Sequence, residues 1–199
     1  MKIICIGRNY VNHAKEMDSP VPSEPIVFFK PDTALLKNDK PFYYPDFSKD
    51  IHHELELVIK ISKNGKNIQV PFAHKYIDEI SVGIDFTARD IQQICKEKGL
   101  PWEKAKAFDS SAVVGTFISY PNKELNFSLK KNGEIIQEGN SKNMIFSIDY
   151  IISHVSKYFT LRTGDLIYTG TPEGVGPIAK GDKLEGFIAS SKLFTCDIK

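Results

Sequence analysis

The stretch His52-His53-Glu54-Leu55-Glu56-Leu57-Val58-Ile59-Lys60-Ile61 sets two carboxylates two residues apart inside a run that otherwise alternates like a strand. Successive strand side chains point to opposite faces, so Glu54 and Glu56 share one face. Leu55, Leu57, Ile59 and Ile61 share the other, and this sustained alternation favours a β-strand over a helix. The paired acids have two readings. One is a half-exposed strand whose polar face meets water, as antiparallel sheets commonly arrange. The other is a hard-cation site: carboxylates at i and i+2 stand roughly 7 Å apart at Cα, and their oxygens can converge on one ion. A third oxygen ligand from elsewhere would favour the second.

Upstream, residues 2–6 read as a short buried strand ended by Gly7-Arg8-Asn9. Residues 10–17 have room for about two helical turns, with His13 and Glu16 three apart on one face. Three prolines in residues 20–25 require a loop, and residues 10–25 together suggest a lid. Residues 26–30 read as a strand and 32–46 as mostly irregular, with a short strand near 34–36. Downstream, Asn64-Gly65 predicts a hairpin turn with residues 68–70 as the partner strand. Residues 74–80 read as a short helix, 80–86 as an apolar strand containing Asp85, and 87–98 as a helix stopped by Gly99. A loop over 100–115 carries Trp102, Lys104 and Lys106, and a strand follows to residue 118. Asn132-Gly133 marks a hairpin between 126–130 and 134–138, and 147–156 has the spacing of an amphipathic helix. After a strand over 166–169, residues 170–177 hold three glycines and two prolines. Such a backbone exposes amides to an anion, or simply makes a turn. Residues 183–188 and 192–198 close the chain as strands. Strands outnumber helices without alternating with them, so the expected fold is a β-rich α+β domain with a curled sheet, spanning residues 1–199, and not a parallel α/β fold.

Lys and Arg total 26 against 25 Asp and Glu, and a net charge of +1 offers no global field for nucleic acid or an anionic membrane. Function is therefore expected from a local site. Cys5, Cys95 and Cys196 are odd in number and far apart, which suits thiols in a reducing, cytoplasmic compartment better than a disulfide framework or zinc cluster. The apolar run in residues 1–10 is too short for a signal-peptide core, and no stretch nears the roughly 18 apolar residues of a membrane span. A soluble protein is expected.

Asp85 is an isolated acid near the end of an apolar strand, where its charge must be paired, hydrogen-bonded or bound to metal. It can cap the following helix, or it can join Glu54 and Glu56 in an all-oxygen set for Mg²⁺ or Mn²⁺. Three carboxylates around such an ion would need nearby cations to admit an anionic substrate, and Lys106, Lys30 and Arg8 are available, each equally readable as a solvated surface charge. His13 and Glu16 can form a general-base pair or an ordinary surface helix pair.

Taken together, the ordered blocks resemble the fumarylacetoacetate hydrolase family, in its short branch of acylpyruvate hydrolases, oxaloacetate decarboxylases or tautomerases, and 2-hydroxyhepta-2,4-diene-1,7-dioate isomerases. These blocks are Gly7-Arg8-Asn9-Tyr10 with His13 and Glu16, Phe29-Lys30-Pro31, His53-Glu54-Leu55-Glu56-Leu57, Asp85-Phe86-Thr87-Ala88-Arg89-Asp90, Lys104-Ala105-Lys106-Ala107-Phe108, Gln137-Glu138-Gly139-Asn140, and Gly164 through Pro177. The resemblance covers nearly the whole chain and loosens only over residues 185–196. It implies a mixed β-roll, usually homodimeric, holding Mg²⁺ or Mn²⁺ through Glu54, Glu56 and Asp85. It further implies that His13 and Glu16 form a lid dyad activating water, that Lys106 stabilises developing negative charge, and that Arg8, Lys30 and Gln92 contact substrate. Thr169, Gly170 and Thr171 would hold the substrate carboxylate. The implied chemistry runs through an enolate of a small 2-oxo acid stabilised by the cation. Hydrolysis of a C–C bond or decarboxylation is the leading expectation, with isomerisation or tautomerisation as the alternative. A metal-binding module without turnover is a third reading, which the presence of His13, Glu16 and Lys106 argues against.

Overall fold

The computed structural model of the chain describes residues 1–37 and 39–199; Asn38, within the stretch read as irregular, lies outside the described residues. The decisive run forms two strands, Ile51–His53 and Leu55–Ile61, interrupted at Glu54. Leu55–Ile61 lies inside an eight-stranded mixed sheet, flanked by antiparallel Ile77–Asp85 on one side and Leu166–Tyr168 on the other. Beyond these lie Ile3–Gly7 and the edge strand Ile26–Lys30 on one flank, and Ala112–Val114 and Leu35–Leu36 on the other. Two pairings are parallel, Ile3–Gly7 with Leu166–Tyr168 and Leu35–Leu36 with Ala112–Val114.

Leu55, Leu57, Ile59 and Ile61 are fully buried in the main core with Ile80, Val82, Ile84, Phe127, Leu129, Leu184 and Phe194. Each such side chain contributes about 1.5–3 kcal/mol through burial, so a register slip that turned this face outward would be strongly disfavoured. The opposite face is covered too. Val58 packs with Cys5, Ala112, Val114 and Tyr168 in a second cluster. The reading of a polar face open to water therefore fails: Glu54 and Glu56 are 5% and 2% exposed.

A four-stranded antiparallel sheet runs in the order Glu134–Asn140, Asn126–Lys131, Lys183–Ile188, Ser191–Asp197, and packs its middle strands on Leu55–Ile61 and Ile77–Asp85. Its first hairpin turns at Asn132 (φ 55°) and Gly133 (φ 91°), the left-handed pair that a two-residue turn requires. A small third sheet joins Gly176–Pro177, Ile51–His53 and Thr87–Ala88. Helices Arg89–Lys98 and Ile148–Tyr158 match their sequence patterns, with Gly99 left-handed at the first C-terminus and Ser147 capping the second N-terminus.

Three local expectations are corrected. Asn64-Gly65 makes no hairpin: Gly65 instead exchanges backbone hydrogen bonds with Leu161, and a Cβ there would stand 2.5 Å from the Tyr76 ring. Long-range pairing displaces a local turn signal. Residues 74–80 are not a helix, because Val70–Tyr76 forms a 3-10 helix with proline at its start and Ile77 already begins the long strand. The loop over 100–115 contains a helical turn, Glu103–Lys106, which delivers Lys106 to the site.

Candidate metal centre and active site

The antiparallel register opposes Leu55 to Ile84 and Glu56 to Gly83, and Asp85 donates its backbone N–H to the Glu54 carbonyl at 2.9 Å. That pairing brings the ends of two strands together and converges three buried carboxylates, Glu54, Glu56 and Asp85, whose ligand atoms lie within 4.8 Å of one another. The interruption at Glu54 coincides with its role in this cluster.

The cluster is only partly neutralised. Lys106 Nζ donates to Glu54 Oε2 and Asp85 Oδ2, both at 2.7 Å. Glu54 Oε1 accepts from Arg89 Nη2 at 2.7 Å and from Thr87 Oγ1 at 3.0 Å. Burial alone would raise the Glu54 carboxyl, but Lys106 and Arg89 outweigh it and hold the group well below the usual carboxylate range. Burial likewise works against the Lys106 ammonium, and the Asp85 and Glu54 charges leave it raised. Among the described residues Glu56 forms no ion pair, and its one hydrogen bond is from the Gly170 backbone N–H at 2.7 Å. Burial, reinforced by Asp85 and Glu54, pushes its carboxyl well up. Lys30 Nζ stands 2.7 Å from Asp85 Oδ1, a buried ion pair whose angles make no hydrogen bond. Three converging buried carboxylates, one with an oxygen that receives no hydrogen bond among the described residues, make an all-oxygen set that fits a hard divalent ion, and Glu54, Glu56 and Asp85 would hold it.

A cleft opens on these acids. His13 enters it from helix Val11–Glu16, with Nδ1 3.0 Å from Glu16 Oε2. Among the described residues its Nε2 has no hydrogen-bond partner. The other Glu16 oxygen accepts the Gly174 N–H at 3.0 Å, and Asn12 donates to Glu173 at 3.0 Å, so the short helix is fastened to the 170–177 loop. Met17 and Ser19 extend this wall. Arg8, in a left-handed conformation at φ 58°, and Gln92, whose side-chain oxygen accepts from Arg89, also line the cleft.

Other expected residues sit elsewhere. Lys30 is fully buried behind Asp85, anchored by the carbonyls of Lys106 and Ser111 and the Ser111 hydroxyl, and does not line the cleft. Thr169 spends its hydroxyl on the Leu57 carbonyl at 3.0 Å, and Gly170 uses its N–H on Glu56. Of that tripeptide only Thr171 lines the cleft. Sequence reasoning gave no role to Arg89, Lys96, Phe28 or Trp102, which also line the cleft. Arg89, Gln92 and Lys96 follow three- and four-residue spacing on helix Arg89–Lys98, a pattern that marks one face and could have found them.

A β-roll whose strand ends gather three acids, under a short helix that carries a histidine–glutamate pair, defines an enzyme site whose acids fit a divalent ion. The chain belongs to the fumarylacetoacetate hydrolase family: residues 2–197 match the family described as fumarylacetoacetate (FAA) hydrolase C-terminal. It is 48% identical over 190 residues to the mitochondrial oxaloacetate tautomerase FAHD1 of Mus musculus, covering 94% of this chain and 86% of that one. Against the oxaloacetate tautomerase YcgM of Escherichia coli (strain K12) the identity is 42% over 188 residues, with 92% and 86% covered. Among solved structures, fumarylpyruvate hydrolase from Pseudomonas aeruginosa in complex with Mn²⁺ and pyruvate superposes with a TM-score of 0.93 at 35% identity, covering all of this chain and 89% of that one. The 2-hydroxyhepta-2,4-diene-1,7-dioate isomerase of Mycobacterium marinum gives 0.87 at 33%, with 99% and 73% covered. The β-rich α+β fold is thus that of the family, and the protein is one of its enzymes.

Proposed function

We propose that the protein is a divalent-metal-dependent oxaloacetate tautomerase, exchanging the enol and keto forms of a small 2-oxo dicarboxylate. The observation that carries this reading is the 42–48% identity, over more than nine-tenths of the chain, to proteins of that activity. The site's charge supports it. Arg8, Arg89, Lys96, Lys106 and Lys30 set five cations at or just behind three carboxylates, a balance suited to a dianion even before a metal is added. A bound Mg²⁺ or Mn²⁺ would polarise the 2-oxo group and stabilise negative charge on its oxygen. His13, oriented by Glu16, would exchange the proton at C3, Lys106 would offset charge on the oxygen, Thr171 would hold a carboxylate, and residues 10–25 would close over the cleft. Lys30 would position Asp85.

The second reading is C–C hydrolysis of an acylpyruvate, placed first on sequence alone and supported by the His13–Glu16 pair and the likeness to fumarylpyruvate hydrolase. Turnover of enol-oxaloacetate, acetylpyruvate and fumarylpyruvate with Mg²⁺ decides between them. Faster ketonisation of oxaloacetate than cleavage of either acylpyruvate is expected; predominant release of pyruvate from fumarylpyruvate would favour hydrolysis. In that case His13→Ala should slow cleavage by roughly 10²–10⁴-fold. A homodimer in the cytoplasm completes the reading. Three free, buried thiols suit a reducing compartment, and the exposed aromatics Tyr158 and Phe159 on and after helix Ile148–Tyr158 suit a covered face.

A further inference from the structure

The Gln137-Glu138-Gly139-Asn140 block has no role in the chemistry above. Gln137 lies on strand Glu134–Asn140 and is 2% exposed. Its Oε1 accepts from the Leu55 backbone N–H at 3.0 Å and from His53 Nδ1 at 3.2 Å. Its Nε2 donates to Thr171 Oγ1 at 2.7 Å and to the Pro172 carbonyl at 2.9 Å. Leu55 N–H can only donate and the Pro172 carbonyl can only accept, so the amide has one allowed orientation. Two protons are thereby assigned. His53 must carry hydrogen on Nδ1, and Thr171 Oγ1 must accept from the amide. Among the described residues the Thr171 hydroxyl hydrogen then has only the Pro172 carbonyl, at a long 3.4 Å, and can turn to a ligand in the cleft that Thr171 lines. The loop lies close against the strand: a Cβ at Gly174 would stand 2.9 Å from the Ile136 carbonyl.

We propose that Gln137 is a positioning residue that forces the Thr171 hydroxyl to donate to a carboxylate oxygen of the bound oxo-acid. The same amide ties that donor to the peptide between Glu54 and Glu56, fixing the separation of the anion and cation subsites. The inference rests on the reading that Thr171 faces the substrate carboxylate.

The test uses oxalate as the probe, read by fluorescence of Trp102, the only tryptophan of the chain and part of the cleft wall. Gln137→Met keeps the length and removes the amide. With Mn²⁺ affinity within about threefold of wild type, oxalate binding should weaken at least tenfold, and the loss in turnover should fall on KM more than on kcat. The double variant Gln137→Met/Thr171→Val should bind oxalate no more weakly than Thr171→Val alone, since both act through one hydroxyl. Unchanged oxalate binding in Gln137→Met, or losses that multiply in the double variant, would overturn the proposal. Should Gln137→Met fail to fold, Gln137→Glu, which keeps the shape and both acceptor contacts, takes its place with the same expectations. Wild-type protein that binds Mn²⁺ but not oxalate would overturn the carboxylate subsite and this proposal together, whereas wild-type binding untouched by the Gln137 variants sinks this proposal alone.

Discussion

Lys30 is the residue whose sequence position says least about what it faces. It sits in a motif with its neighbours Phe29 and Pro31, and nothing in one sequence separates a cation facing substrate from one facing backwards onto an acid. Burial decides the matter: its side chain is fully enclosed against Asp85 and two carbonyls. Removing one member of a buried ion pair leaves an uncompensated charge, so Lys30→Met should destabilise the fold by about 3–5 kcal/mol in urea denaturation. A variant of unchanged stability with only a raised KM would restore Lys30 to the substrate. His53 gives a second residue-scale test. Burial, against the opposing bond to Gln137, lowers its imidazole to about 4. The unfolded chain takes up that proton between about pH 6.5 and 4 while the folded chain does not, so stability rises with pH across this window. It is complete above 6.5, and roughly 3 kcal/mol is lost on acidification towards 4. His53→Asn, which cannot titrate, should show a shallower loss in thermal unfolding over that range; an equally steep profile would place the acid sensitivity elsewhere. The three acids, by contrast, are legible as candidates, from the i, i+2 spacing of Glu54 and Glu56 and from the isolation of Asp85 in an apolar run.

At the scale of elements, legibility follows the range of the interactions. The Asn132-Gly133 hairpin forms because its strands are each other's partners, whereas Asn64-Gly65 carries the same signal and makes none, its strand already taken on both sides by Leu166–Tyr168 and Ile77–Asp85. The loop at 170–177 is readable as glycine- and proline-rich, but not its docking. Gly170, at φ 98°, lies so near Asn9 that a Cβ would come within 2.6 Å of the Asn9 Cβ, and Asn9 in turn bonds the Thr169 and Phe146 carbonyls. Helix Val11–Glu16 is held to this loop by Asn12 and Glu16, through Glu173 and the Gly174 N–H. The Asn12–Glu173 bond is exposed and worth about 0.5–1.5 kcal/mol at most. Asn12→Ala and Glu173→Ala should each raise KM a few-fold in steady-state kinetics while kcat stays within about twofold. A collapse of kcat would show that the pair acts on the chemistry itself.

At the scale of the molecule, the fold exists to bring three acids from two strand ends under a helix, against a core that allows only one register. The β-rich character could be read from the many short alternating runs. The two parallel pairings could not, since they join segments remote in sequence through no local pattern. Nor could the closure of both faces over Glu54 and Glu56, which turns an ordinary polar stripe into a buried cluster of carboxylates. The most direct measurement is the rate of enol-to-keto conversion of oxaloacetate, followed by ultraviolet absorbance, for wild type and Glu56→Gln with Mg²⁺ and with EDTA. The account predicts a saturable acceleration by wild type that EDTA abolishes and Mg²⁺ restores, and a loss of at least about 100-fold in Glu56→Gln, of the order expected when a preorganised charge site is broken. Acceleration that persists undiminished in EDTA, or in Glu56→Gln, would contradict it.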